Sequence, residues 1–97
     1  MEKLIYLNNL YDLYGTLLTK KQQIYFEEYY FNNLSYGEIS EKYEISRNAC
    51  FKQLKIIEEK LYDYEEKLKL LYKKEKLYAI INNIEDSTLK SKLDELL

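Results

Sequence analysis

The chain has no proline, no histidine and no tryptophan, and only two glycines, Gly15 and Gly37, in 97 residues. Each absence closes a route. Without proline, and with so little glycine, there is almost nothing from which to build sheet turns, so long helices are expected. Without histidine, a cysteine nucleophile has no imidazole base and an ordinary zinc site loses its nitrogen ligands. The single cysteine, Cys50, cannot form an internal disulfide, and a reducing cytosol keeps it a thiol. There is no Gly-rich phosphate loop. The opening Met1-Glu2-Lys3-Leu4-Ile5-Tyr6 is not the basic start and long apolar run of a signal peptide. The longest apolar runs are a few residues, against the ~20 needed to span a bilayer. Together these features predict a non-enzymatic, cytoplasmic protein with no cofactor, no metal and no membrane insertion.

What remains is apolar and tyrosine-rich. Apolar residues make up 46% of the chain, too many for a disordered segment, and 97 residues suffice for one domain with one modest core. The 12 tyrosines are read as core and interface rather than as a base-stacking platform. Helical spacing places a first helix over roughly Glu2 to Tyr14, through Leu4, Leu7, Leu10 and Tyr14, with Gly15 ending it. Thr19 and Gln22 form a capping box that starts a second helix to about Asn32, and Asn32-Asn33 is a turn.

The segment Ser35 to Leu61 carries the most information. Ser35 and Glu38 form another capping box, and Ile39 and Tyr43 follow at helical spacing. Ile45 is the apolar residue of a corner and Ser46 is a second N-cap. Cys50, Leu54, Ile57 and Leu61 then repeat at 4, 3 and 4, the buried stripe of a second helix. Two helices joined by a tight corner form a helix-turn-helix unit, which points to nucleic acid. With that stripe inward, Asn48, Lys52 and Lys55 lie on the outer face, and Arg47 sits in the first turn, where backbone N–H groups favour phosphate. Asn, Lys and Arg are the side chains that read base edges and phosphates. Cys50, on the stripe, is a small core hydrophobe. The adjacent acids Glu27-Glu28, Glu58-Glu59 and Glu65-Glu66 diverge around a helix and are expected on solvated faces.

The apolar register continues through Leu54, Ile57, Leu61, Tyr64, Leu68 and Leu71, a coiled-coil-like seam. Either one long helix or two with a bend fit it, and Lys74-Glu75 is expected to break it. A further helix through Tyr78, Ile81 and Ile84 follows. Asp86 or Ser87 caps a last short helix bearing Leu89, Leu93, Leu96 and Leu97.

The run from Leu18 to Leu68 resembles the bacterial YlxM-like family, itself similar to region four of sigma factors. The likeness is carried by Leu18-Thr19 before a Gln-rich first turn, by Ser35-Tyr36-Gly37-Glu38-Ile39, by Ile45-Ser46-Arg47 in the corner and by Tyr64-Glu65-Glu66-Lys67-Leu68 beyond it. The resemblance implies an all-helical, non-enzymatic protein. The family's genes lie beside those for the signal recognition particle GTPase, which implies a role in that targeting pathway, through its RNA. The sequence departs from the helix-turn-helix pattern at Glu44, where the corner usually carries Gly. A left-handed Glu costs about 1 kcal/mol, and an acid there sits near any approaching phosphate.

Charge gives a mixed answer. The net is −2, and within Ser35 to Leu61 five basic residues face five acids. The one clear basic run, Lys67 to Lys76, holds Lys67, Lys69, Lys73, Lys74 and Lys76 against Glu75 alone, and such a patch binds phosphate with strong salt dependence. Lys20 and Lys21 open the second helix and are further candidates. Seventeen leucines exceed what one small bundle readily covers, so a homodimer through the C-terminal helices is expected, with Leu68, Leu71, Tyr72, Tyr78, Ile81, Leu93 and Leu96 at its interface.

The reading is therefore one all-α domain of about six helices over residues 1–97. A sigma region-four-like helix-turn-helix unit spans 19–61, and a C-terminal helical arm, the oligomerisation region, spans 62–97. The protein is expected to be a regulatory or accessory nucleic-acid binder whose partners include signal recognition particle components. The competing reading is a protein-interaction module that keeps the fold without binding nucleic acid.

Overall fold

The computed structural model describes residues 2–97. Six α-helices follow one another: α1 Glu2–Tyr14, α2 Lys20–Tyr30, α3 Tyr36–Tyr43, α4 Arg47–Leu68, α5 Leu70–Ile81 and α6 Ser87–Asp94, with a short 3-10 turn, Gly15–Leu17, after α1. No strand occurs among the described residues.

Side-chain caps set the helix starts. Thr19 and Ser35 each form a complete capping box, with Gln22 and Glu38 reaching back. The Ser46 hydroxyl accepts from the Ala49 N–H, and Asp86 accepts from those of Thr88 and Leu89. Such a cap is worth about 1 kcal/mol against alanine. Gly15 does follow the end of α1, but not as a left-handed cap, since neither glycine has a positive φ. The chain passes instead into the 3-10 turn. Gly15 gives room to the Tyr11 ring, which a Cβ there would meet at 3.0 Å.

α4 is the centre of the bundle, with α1, α2 and α3 packed around it. Its stripe of Cys50, Leu54, Ile57 and Leu61 is buried against Leu7, Leu10 and Tyr14 of α1, Tyr25 and Phe26 of α2, and Ile39 of α3. Each fully buried side chain of this size contributes about 1.5–3 kcal/mol. α5 packs on α1, and α6, with no buried residue, packs on α5, so the molecule extends to 55 × 25 × 24 Å.

The seam does not continue as one coiled-coil helix. α4 runs unbroken past residue 61 and ends at Leu68, which is 46% exposed. Lys69 then takes a left-handed conformation (φ 54°, ψ 34°), and the turn returns Leu71 to the core. The break thus falls at Lys69 and not at Lys74-Glu75, which lies inside α5.

A buried carboxylate holds this junction. Glu65 accepts from the Leu71 N–H at 3.0 Å and the Tyr72 N–H at 3.1 Å. It therefore caps α5, which has no side-chain cap of its own. The Tyr14 hydroxyl, from α1, donates to Glu65 at 2.6 Å and accepts from the Leu70 N–H at 3.0 Å. Burial pushes the Glu65 carboxyl up, but these donors outweigh it and hold the group below its ordinary range.

The expectation that the paired acids are all solvated is therefore corrected. Glu59 and Glu66 are exposed. Glu28 and Glu65 are buried, and the partly buried Glu58 accepts from the Tyr30 hydroxyl. Adjacent residues diverge by about 100° around a helix, so one of each pair faces the bundle, where tyrosines supply donors.

Candidate nucleic-acid interface

Glu28, on α2, fixes where the helix-turn-helix unit sits. Its carboxylate accepts from Lys42 Nζ at 2.6 Å, from the Tyr43 hydroxyl at 2.7 Å and from Asn32 Nδ2 at 2.7 Å. The Lys42 contact leads in holding its carboxyl down at about 2, with Asn32 and Tyr43 adding to it. The end of α3 is thereby fastened to the end of α2. The corner follows at once. Glu44 is left-handed (φ 57°, ψ 44°), where glycine would be unstrained, and the Ile45 N–H closes the turn on the Ser40 carbonyl at 3.0 Å.

α4 leaves this corner with Arg47, Asn48, Lys52 and Lys55 all exposed. The Arg47 guanidinium folds back over the first turn of α3. A Cβ on Gly37 would lie 2.8 Å from its Nη2, so Gly37 admits the arginine by having no side chain. Arg47, Lys52 and Lys55 form no ion pair among the described residues. From Ile45 to Ile57 the chain carries these three cations and no acid, while Glu58 to Glu66 carries five acids and one lysine. The zero net charge of Ser35 to Leu61 instead divides between the two helices: α3 and the corner carry Glu38, Glu41 and Glu44 against Lys42, whereas α4 as far as Leu61 carries Arg47, Lys52, Lys55 and Lys60 against Glu58 and Glu59.

The other candidate cations lie apart from this cluster. Lys20 and Lys21 are exposed at the start of α2, with the Lys21 ammonium 5.8 Å from the Tyr25 ring centre. The next residue, Gln22, meets α4 at Lys60, more than two turns beyond Lys52. The lysine run is divided by the break at Lys69. Lys67 pairs with Asp63 at 2.9 Å on α4, whereas Lys73 and Lys74 belong to α5, Lys74 resting over Tyr78. Among the residues expected at a dimer interface, Leu71 and Ile81 are buried within the chain's own fold, at 7% and 2% exposure. Neither is available to a second copy: the turn at Lys69 returns Leu71 to the core, and Ile81, at the end of α5, is covered within the chain itself. Leu68, Tyr72, Tyr78 and Leu96 are exposed, and Leu93 is half-buried.

The sequence reading missed an aromatic element beside the cations. Phe51 is 42% exposed and sits on the outer face of α4 between Asn48 and Lys55. Its ring meets Tyr36 edge-on at 5.7 Å, and Tyr36 stacks on Tyr29 at 5.0 Å. The available signal was the position of Phe51, a large apolar residue off the buried stripe. Cys50, by contrast, lies fully in the core, where burial pushes its thiol up and keeps it protonated. No cluster of potential metal ligands occurs among the described residues, and no helix among them is long and apolar enough to cross a membrane.

An unbroken helix-corner-helix with its second helix presenting an exposed polar face defines a helix-turn-helix protein, here with a helical C-terminal arm. The chain belongs to the UPF0122 family, described as helix-turn-helix, YlxM / p13 like, whose model matches residues 1–96. It is 41% identical to the UPF0122 protein YlxM of Bacillus subtilis over 95 residues, covering 98% of this chain and 86% of that protein. A UPF0122 protein of Geobacillus kaustophilus is 45% identical over 86 residues, 89% of this chain and 78% of its own. One from Halalkalibacterium halodurans is 39% identical over 95 residues, 98% and 87% respectively.

Proposed function

We propose that this protein is a cytoplasmic, non-enzymatic nucleic-acid-binding accessory or regulatory factor that engages phosphate and base edges with the first half of α4. The observation that carries this reading is the exposed set Arg47, Asn48, Lys52 and Lys55, unpaired and without an acid among them. Exposed Lys73 and partly covered Lys74 on α5, with Lys67 and Lys69 near the junction, supply a second, weaker phosphate contact. A place in the signal recognition particle pathway is what the family resemblance implies, and it makes an RNA of that particle a natural first ligand to test.

Lys52→Glu and Arg47→Ala test the reading, because both side chains lie off the buried stripe and the fold should survive. Each lost phosphate contact should lower the slope of log affinity against log salt by about one. Binding unchanged in an electrophoretic shift at low salt, with circular dichroism intact, would reject this face and favour a protein-interaction module.

The arm supports a further part of the proposal, a homodimer. Leu68, Tyr72, Tyr78 and Leu96 leave apolar surface exposed along the last third of the chain. A two-fold pairing through α5 and α6 would cover it and present two α4 faces on one assembly. Light scattering at tens of micromolar protein decides this, since a single species at 11.9 kDa rules the dimer out.

A further inference from the structure

Beside the cationic face of α4 lies an open groove of about 370 Å³. Tyr29 and Tyr30 come from α2, Tyr36 from α3, and Phe51, Lys55 and Glu58 from α4. It continues past Leu4, Tyr29 and Tyr30 into a second hollow that reaches Asn33, Leu34 and Ser35. The first hollow is within the size range of small-ligand sites, about 300–1,000 Å³. Four aromatic rings from three helices meet there: Tyr29 and Tyr36 stack on one another, Tyr30 and Phe51 stand edge-on to that pair, and the space between them remains open.

The charge around the groove selects its occupant. Glu58 is its one acid, and it is already engaged by the Tyr30 hydroxyl and by Lys3 at 3.5 Å. Lys55 is in no ion pair among the described residues, and Lys52 and Arg47 follow it outward on the same helix. Flat aromatic walls with the unpaired Lys55 on one rim, and Lys52 beyond it on the same helix, match a planar π-system carrying a phosphate on its edge. A base inside a duplex cannot reach such walls, because its faces are covered by its neighbours. An unstacked base presents both.

We infer that the groove bounded by Phe51, Tyr36, Tyr29 and Tyr30 receives an unpaired nucleobase, whose flanking phosphates rest on Lys55 and Lys52. The protein then favours single-stranded or looped nucleic acid over duplex. This rests on the nucleic-acid reading above and adds to it which form of nucleic acid is held and by which residues.

The full chain allows a direct test, because it contains no tryptophan. Phe51→Trp gives it one, placed at the groove mouth. Single-stranded RNA and DNA of one sequence, and the duplex formed from the DNA, are each titrated against this variant, the unmodified protein, Phe51→Leu and Lys52→Glu. A base stacking in the groove should quench the tryptophan with either single strand and leave it unchanged with duplex. The strand held more tightly identifies the natural ligand. Phe51→Leu should weaken single-strand binding about tenfold and leave duplex binding as it was, since stacking on one aromatic side chain accounts for that order of effect. Lys52→Glu should weaken all three ligands. If Lys52→Glu acts and Phe51→Leu does not, or if duplex quenches as strongly as single strand, the groove has no such role while the α4 face stands. If the unmodified protein holds none of the three, the nucleic-acid reading itself falls.

Discussion

Removing the Glu65 carboxylate should detach the arm from the bundle and cost about 3 kcal/mol. Glu65→Ala deprives three donors of their acceptor: the Tyr14 hydroxyl, the Leu71 N–H and the Tyr72 N–H. A buried donor left unmade costs about 1–3 kcal/mol, which summed over three would exceed the observed effect of most substitutions. Two offsets lower the figure. The Tyr72 N–H is partly accessible, so water can replace its partner. The variant also no longer carries the desolvation cost of a buried charge. Tyr14→Phe should cost less, about 1–2 kcal/mol, since it removes one bond to Glu65 and one acceptor for the Leu70 N–H. The double variant should fall short of the sum, because both changes break the same network. Urea unfolding followed by circular dichroism gives each value. The pH dependence supplies a second check. The folded carboxyl lies below its ordinary range, so its contribution is complete above the unfolded value of about 4.3 and is lost as pH falls through the folded one. The gap between wild type and Glu65→Ala should therefore shrink in acid. A loss under about 0.5 kcal/mol at pH 7, or a gap independent of pH, would refute this account of the junction.

Three other substitutions probe the rest of the frame. Leu54→Ala empties a side chain that is 4% exposed and should cost roughly 2–5 kcal/mol, a fall of at least about 8 °C in Tm; a smaller shift would mean that α4 presents another face to the core. Glu28→Gln should flatten the acid limb of stability. The native carboxyl is held at about 2, so its contribution is present above about pH 4.3 and lost as pH falls towards 2; parallel curves for variant and wild type would contradict the cluster. Glu44→Gly should raise stability by up to about 1 kcal/mol in urea unfolding, the relief of a left-handed Cβ less the added freedom of the unfolded chain; a loss would show that the Glu44 side chain contributes more than the strain removes.

The features that could be read from the sequence were the local ones. Thr19 with Gln22, Ser35 with Glu38, Ser46 and Asp86 announce helix starts because a cap is made within three residues of itself. The stripe Cys50, Leu54, Ile57 and Leu61 was equally plain, since helical periodicity alone decides which side can be buried. The break at Lys69 had no such signal. Neither glycine nor proline marks it, and the register of apolar residues runs straight through it. What makes the left-handed Lys69 tolerable is the donor set around Glu65, including a tyrosine 51 residues away on α1. The inward acids were misplaced for the same reason. Glu28 is held by α3 and Glu58 by Tyr30 of α2, partners that only the packing of helices brings within reach. The aromatic groove is likewise assembled from three helices; Lys55 on its rim was read as a site residue from the sequence, whereas Phe51 and its tyrosine neighbours were not.

The same packing explains how a chain of net charge −2 can present a face suited to a polyanion. Charges act over about 8 Å at physiological salt, so a phosphate responds to its near neighbours and not to the molecular total. At 1.5 Å per residue, Glu59 is about 10 Å from Lys52 along α4, beyond that range, and only about 6 Å from Lys55, so the acids downstream weaken the inner edge of the face and leave Arg47 and Lys52 clear. Glu58, the first acid after the cations on α4, is turned towards the groove and matched by Lys3 and Tyr30. Glu28 is matched by Lys42 within the bundle. Of the acids that cancel the charge in the sequence, Glu28 and Glu58 are thus paired and Glu59 lies downstream; Glu41 and Glu44 are exposed and in no ion pair among the described residues, and Glu44, three residues before Arg47, is the one in the corner from which α4 starts. Glu44 should therefore set the strength of binding more than the net charge does. Its replacement by Gly removes strain and a like charge together, whereas Glu44→Gln removes the charge and keeps the backbone cost. If the charge is what restrains binding, Glu44→Gln should tighten nucleic-acid affinity nearly as much as Glu44→Gly, and the gain should fade as salt rises. Equal affinities for wild type and Glu44→Gln at low salt would show that the corner acid lies clear of the bound phosphates.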